Sequence, residues 1–395
     1  MPASAAAVGK TSLRDLVDAT PPTRERYVDF LRAVSILVVM LGHWMMAIVT
    51  LDGSTLGIRN LIAEIDGMWI ATWLLQVMPV FFFVGGFASL ATLEALAKRG
   101  GGYAQFADSR LRRLLTPVAV LLGIWLPVVT IVQALGLFDV EQIARATTAV
   151  SQPLWFIGVY LIVTALAPAM LALHKRHGVA VPVALALASG VVDTLRFTFD
   201  APMAGALNFA IVWLFAHQLG FFYGDGSLRR LPRAALLAGV VIGLGSLWAL
   251  TAFGPYPRSM VGLPGETISN MNPPSVCLVA LTVWQVALVL IARDVATSWL
   301  SRPRVWGAVI ALNSVIMTVF LWHLTALMIA VAVLFPLGFP QPEVGTASWW
   351  LLRPVWLAIL AGLTFAFVLA FGRFERSRTT QPETRSGGAW LASLG

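Results

Sequence analysis

Ten apolar runs, at 29–50, 69–93, 113–135, 154–173, 179–195, 203–223, 233–253, 274–292, 306–334 and 350–372, divide this chain of 395 residues. Each is long enough to cross the roughly 30 Å of hydrocarbon in a bilayer. Backbone polar groups find no water there, and a helix satisfies them within a single segment. The fold class predicted is therefore all-α, a polytopic membrane helical bundle of about ten transmembrane helices. Charged residues make up 12% of the chain, about half the share usual in a soluble domain. The connections are too short to hold a soluble domain of any size. The expected layout is a cytoplasmic N-terminal tail over 1–28, a transmembrane domain over 29–373, and a polar cytoplasmic tail over 374–395 that is expected to be disordered.

Of the 27 Lys and Arg residues, 22 fall in the two tails and in alternate connections. The other side holds five: Arg59, Arg145, Arg196, Arg258 and Arg353. Acidic residues split almost evenly, 10 against 9, as they do where basic residues alone set orientation. Both termini are predicted to be cytoplasmic, in a multi-pass protein of the cell (cytoplasmic) membrane with the lipid bilayer as its surroundings. This asymmetry accounts for the net charge of +8, so that charge is no argument for nucleic acid as a partner. Trp69, Trp73, Trp306, Trp349 and Trp350 sit near the run boundaries, as an aromatic belt does. The longest outward connection, 254–274, holds Pro255, Pro257, Pro264, Pro273 and Pro274 and is expected to cover part of an external opening.

Ionisable groups cost a few kcal/mol each inside hydrocarbon, so a stripe of them marks a polar site. The first run carries Asp29, Arg32 and His43. Eleven residues at about 100° apiece bring Arg32 and His43 back to one helix face, about 16 Å apart along the axis. Arg32 is thereby expected at the cytoplasmic mouth and His43 well inside the bilayer. Asp29, three residues before Arg32, can orient or neutralise it. His217 and His323 also lie within runs, where a histidine often serves only as an interhelical hydrogen-bonding group. His174 and His177, beside Lys175 and Arg176, read as a solvated charged loop. Cys277 is the one cysteine, which excludes a disulfide framework and a cysteine-based metal site, and no metal is expected.

In the second run, Pro79 frees a backbone carbonyl, and Gly85-Gly86 before Phe87 lets a backbone or a ligand approach closely. A packing face and the wall of an acyl channel are both open readings of that segment. Arg110 and Arg113, expected where a cytoplasmic loop meets the third run, share a helix face at i, i+3. Their forks suit phosphate oxygens, and they serve equally as cytoplasmic anchors. Trp155 follows Gln152-Pro153 at the opening of the fourth run, and Trp322 precedes His323 in the ninth.

Five landmarks occur in order: Arg26-Tyr-Val-Asp29-Phe-Leu-Arg32 with His43 beyond it; Phe81-Phe-Phe-Val-Gly-Gly-Phe87; Arg110-x-x-Arg113 with Leu115-Thr-Pro117; Pro153-Leu-Trp-Phe156; and Leu321-Trp-His323. Together they resemble the acyltransferase 3 family of integral membrane acyltransferases. The resemblance implies a ten-helix core and transfer of an acyl group, commonly acetyl from acetyl-coenzyme A, to a hydroxyl of a carbohydrate, glycolipid or similar acceptor. Acyl-coenzyme A is then a donor substrate, with no permanently bound cofactor. On that reading His43 is the general base, with Asp29 and His323 as further catalytic candidates. Arg32, Arg110 and Arg113 would hold the coenzyme A phosphates, and Gly85, Gly86, Phe87, Trp155 and Trp322 would line the acceptor site or channel. The chain departs from the family at Gly85-Gly86-Phe87, usually Ser-Gly-Phe, and at Ile157-Gly-Val-Tyr160, where members that modify O-antigen often carry a glutamate. A proton-coupled secondary transporter or lipid-linked carrier is the alternative, since buried histidine and arginine suit it. Against it, the chain shows no recognisable inverted repeat and few charges in the third to tenth runs.

Overall fold

The computed structural model describes residues 13–52, 55–136, 139–263 and 265–376. Pro264 and the outer parts of both tails lie outside the described residues. A short helix, α1 (Leu13–Asp18), precedes the first long one, α2 (Arg26–Met46). Next come β1 (Ala47–Asp52), β2 (Thr55–Asn60) and α3 (Leu61–Glu64). The second span is built in two pieces, α4 (Trp69–Leu75) and α5 (Met78–Lys98). Long helices follow: α6 (Tyr103–Ala134), α7 (Val140–His177), α8 (Ala180–Thr198) and α9 (Asn208–Gly224). The remainder is α10 (Arg233–Phe253), α11 (Val276–Leu300), α12 (Pro303–Asn313), α13 (Ile316–Leu334) and α14 (Ala347–Arg376). Among the described residues, ten helical segments are long and apolar enough to cross a membrane.

Successive spans alternate in direction, so the bundle has two ends. The start of α2, the α5–α6 turn and the end of α14 share the arginine end; the β-hairpin, the 254–275 loop and the α13–α14 connection share the hairpin end. Helix α13 is strongly apolar apart from Thr318, His323 and Thr325 and is almost wholly buried, as such a helix must be. Around it, α6, α10 and α14 leave Leu126, Val241, Trp248 and Leu369 exposed, a lipid-facing surface in a bundle of this kind.

The boundaries depart from those expected at several places. Helix α2 ends at Met46, not residue 50, because Ile48-Val49-Thr50 is β-branched and Asp52-Gly53 is a hairpin signal. Ala47 pairs with Asn60 and Asp52 with Thr55 across the antiparallel ladder. The run at 306–334 splits: α12 ends at Asn313, and α13 starts at Ile316. The Glu375 carboxylate caps α13, accepting from Met317 N at 3.0 Å and from Thr318 N and Oγ1 at 2.9 Å each. This supplies the orphan donors of a helix start with an anion. Residues 374–376, expected in the tail, are helical.

The second span breaks at Gln76-Val77, just before Pro79, which cannot donate a backbone bond. Buried Gln285 closes the gap: its Nε2 lies 3.0 Å from the carbonyls of both Trp73 and Gln76. The 254–275 loop is seated on this break. Met260 N donates to Thr72 Oγ1 at 2.9 Å, and Trp73 Nε1 donates to the Arg258 carbonyl at 2.8 Å. Buried Asp193 anchors the loop's far end through Tyr256 OH (3.0 Å) and Val276 N (2.8 Å).

Candidate active site

Helices α2 and α13 meet side by side at His43 and His323. His43 Nδ1 lies 2.9 Å from His323 Nε2, and Trp44 Nε1 donates to the His323 carbonyl at 2.9 Å. The ring planes differ by 16° and their centres are 5.1 Å apart, the arrangement of two imidazoles bonded edge to edge. His323 is wholly buried, and its Nδ1 is 2.6 Å from the Phe320 carbonyl.

A carbonyl can only accept, so His323 Nδ1 carries the proton and a neutral His323 presents a lone pair at Nε2. His43 must then donate from Nδ1, which leaves its own lone pair on Nε2. That nitrogen makes no hydrogen bond among the described residues, and His43 is only part buried. The pair therefore holds one free basic nitrogen in a fixed tautomer, as a nucleophile-activating base requires. His43 lies a turn below the end of α2, while α13 continues eleven residues past His323, so the pair remains inside the bundle.

The second cluster lies toward the arginine end of the same α2 face. Asp29 bonds Arg24 Nε at 2.6 Å and faces Arg32 Nη1 at 3.5 Å. Arg113, Asp29, Tyr160 and Arg110 are all within electrostatic reach of Arg32. Arg113 is exposed and makes no hydrogen bond among the described residues. Arg110 reaches across to α5, donating from Nη2 to the Ala88 carbonyl (2.8 Å) and Thr92 Oγ1 (2.7 Å). Both arginines sit two to three turns inside α6, not at a helix mouth, because the helix begins ten residues before the apolar run. Positive charge exceeds negative here, which favours a multiply charged anion.

Aromatic rings connect the two clusters. Phe156 meets Phe320 edge-on at 5.3 Å and Phe81 at 5.0 Å, and it lies 5.7 Å from Tyr160. Phe320 in turn holds His323, and Tyr160 adjoins Arg32. Tyr160 was not singled out from the sequence, although it stands at i+4 from Phe156 and so shares its face.

The structure brings His43 and His323 together and gathers Arg32, Arg110, Arg113 and Asp29. Asp29 belongs to the arginine cluster, some 21 Å along α2 from His43, and cannot orient the imidazole. The other expected lining residues are dispersed. A Cβ on Gly85 would sit 3.1 Å from the Tyr160 ring, beside the cluster. Gly86 instead faces α9, where its Cβ would lie 1.9 Å from the His217 carbonyl oxygen. Phe87 packs edge-on against Tyr223. Trp155 is 38% exposed on the outer face of α7, and Trp322 stacks on Phe371 of α14 at 4.4 Å.

His217 bonds Ser89 Oγ at 3.2 Å, linking α9 to α5. His174 is buried, not solvated, because α7 runs through His177. It lies 3.0 Å from Gln218 Nε2 and 3.0 Å from Asp225 Oδ2. Burial raises the Asp225 carboxyl, but Ser227 and His174 outweigh it and hold the group below its ordinary range. Among the described residues no cluster of His, Cys, Asp and Glu could hold a metal ion.

Ten apolar spans around a histidine pair and an arginine cluster define a polytopic membrane protein with an internal polar site. The acyltransferase 3 family model, described as an acyltransferase domain, matches residues 25–373, and the chain belongs to that family. It is a membrane-embedded acyltransferase. No curated protein and no solved structure matches it.

Proposed function

We propose that the protein transfers an acyl group, acetyl in the simplest case, from acyl-coenzyme A to a hydroxyl of a carbohydrate or glycolipid. The observation that carries this reading is the free Nε2 of His43, fixed through His323 on the α2 face that also bears Arg32. Arg32 and Arg113 would take the donor's phosphates. Arg110, two of whose bonds go to α5, would add charge more than contacts. About 16 Å of helix separates Arg32 from His43, a distance of the order an extended pantetheine arm covers. The rings of Phe81, Phe156, Tyr160 and Phe320 lie between the two ends.

In the step itself, His43 Nε2 takes the proton of the acceptor hydroxyl as its oxygen attacks the thioester carbonyl. A C–O bond forms and the C–S bond breaks. The proton passes from His43 to the leaving thiolate, restoring the neutral pair.

His43→Asn, assayed with radiolabelled acetyl-coenzyme A in membranes, is expected to lose about 10²–10⁴-fold in rate, the usual contribution of a positioned base. Full activity in that variant removes His43 from the role. Arg113→Gln is expected to raise the apparent KM for the donor with little change in kcat, and a salt dependence weaker than wild type should accompany it. An unchanged KM counts against the phosphate site.

A further inference from the structure

Two of the five basic residues on the basic-poor side, Arg59 and Arg353, line one cavity of about 170 Å³ at the hairpin end. That volume is an order of magnitude above the roughly 10–15 Å³ that one water needs. Trp349, Trp356 and Phe339 supply aromatic wall, Glu343 an exposed carboxylate, and β1 one side, starting at Ala47. Ala47 N–H bonds the His43 carbonyl, so the cavity wall begins four residues along the chain from His43.

The two arginines differ in how their charge is met. Arg59 pairs with Glu64 at 2.9 Å. Arg353 makes no hydrogen bond or ion pair among the described residues, and its buried Nε has no partner. Its guanidinium carbon lies over the Trp349 ring, 3.9 Å from the ring centre. A charged fork held against indole with its buried Nε unpartnered suits a carboxylate or phosphate, which takes two parallel bonds from such a fork. The edges of Trp349 and Trp356, 1% and 4% exposed, give the cavity an apolar wall, and Glu343 can accept from sugar hydroxyls.

We propose that this cavity is the acceptor subsite and that it takes an acidic sugar, its carboxylate or phosphate on Arg353 and a hydroxyl directed toward His43. The acceptor role rests on the acyl-transfer reading above; the binding itself does not. The test is saturation-transfer NMR titration of the full-length protein in phosphatidylcholine nanodiscs with glucuronate, glucose 1-phosphate and glucose. Both acidic probes should saturate at least tenfold below glucose. Arg353→Gln should weaken them at least tenfold, and Arg353→Lys, which keeps the charge but not the fork, should restore part of the loss. Equal affinity for all three probes, no saturable binding of any, or an unaffected Arg353→Gln would overturn the subsite. Repeating the titration in phosphatidylglycerol nanodiscs separates the sources of the anion. If that lipid displaces both acidic probes, Arg353 holds a lipid headgroup and the proposal fails. Wild-type binding without transfer from any acyl-coenzyme A would sink the donor reading alone, while transfer without binding would sink only the subsite.

Discussion

The Phe320 carbonyl offers only lone pairs, so the proton between it and His323 belongs to Nδ1, and every later proton position in the histidine pair follows. The arrangement parallels a base oriented by a third group, with imidazole where a carboxylate often stands. A neutral partner stabilises the imidazolium formed on His43 less than a carboxylate does, so His323 contributes mainly by holding the ring. His323→Leu removes the acceptor for His43 Nδ1 and frees the ring to turn; kcat should fall about 10²-fold, the scale of a misplaced catalytic group. His323→Gln keeps an acceptor oxygen in range and should recover part of that loss, with the donor KM unchanged in both. Equal losses in the two variants would reduce His323 to packing. The Arg32–His43 stripe was legible because helical periodicity links residues eleven apart. The partnership of His43 with His323 was not, since 280 residues separate them and no local pattern couples them.

At the level of elements, Gly86 and Gly220 let α5 and α9 cross at backbone distance. A Cβ on Gly86 would stand 1.9 Å from the His217 oxygen and 3.0 Å from the Gly220 Cα. These are backbone atoms and cannot swing away, so Gly86→Ala must part the helices. The expected loss is about 1–3 kcal/mol or more, as for overpacked cores, read as a lower midpoint in thermal unfolding. Gly85→Ala meets the Tyr160 ring at 3.1 Å, which can give way, and should cost less. If Gly86→Ala melts no earlier than Gly85→Ala, the crossing is not the constraint inferred. The need for a close approach at Gly85-Gly86 was visible in the sequence, but not which glycine met a backbone. That depends on the rotation of α5 within the bundle, and an almost uniformly apolar helix carries no polar face to reveal it. The hairpin after α2 was more readable than the apolar count suggested, because its β-branched run sits beside an Asp-Gly pair.

Across the whole molecule, the arginine cluster and the Arg353 cavity stand at opposite ends, with the histidine pair between them. Most basic residues lie at the arginine end, which the positive-inside rule assigns to the cytoplasm, where coenzyme A thioesters are made. Donor and acceptor would then approach from opposite faces and meet at His43, so acylation would need neither to cross the membrane whole. This depends on orientation, which helix packing does not fix, since a bundle is equally stable inserted either way up apart from its loop charges. Cys277 is fully buried and leaves a quiet background for engineered thiols. Arg99→Cys, exposed in the α5–α6 turn, and Met203→Cys, 84% exposed beyond α8, report the two ends. A membrane-impermeant maleimide applied to intact cells should label Met203→Cys and spare Arg99→Cys, and inverted vesicles should reverse the pattern. The opposite labelling would put the arginine cluster outside, away from the coenzyme A pool, and its excess of positive charge would then have to serve an external anion.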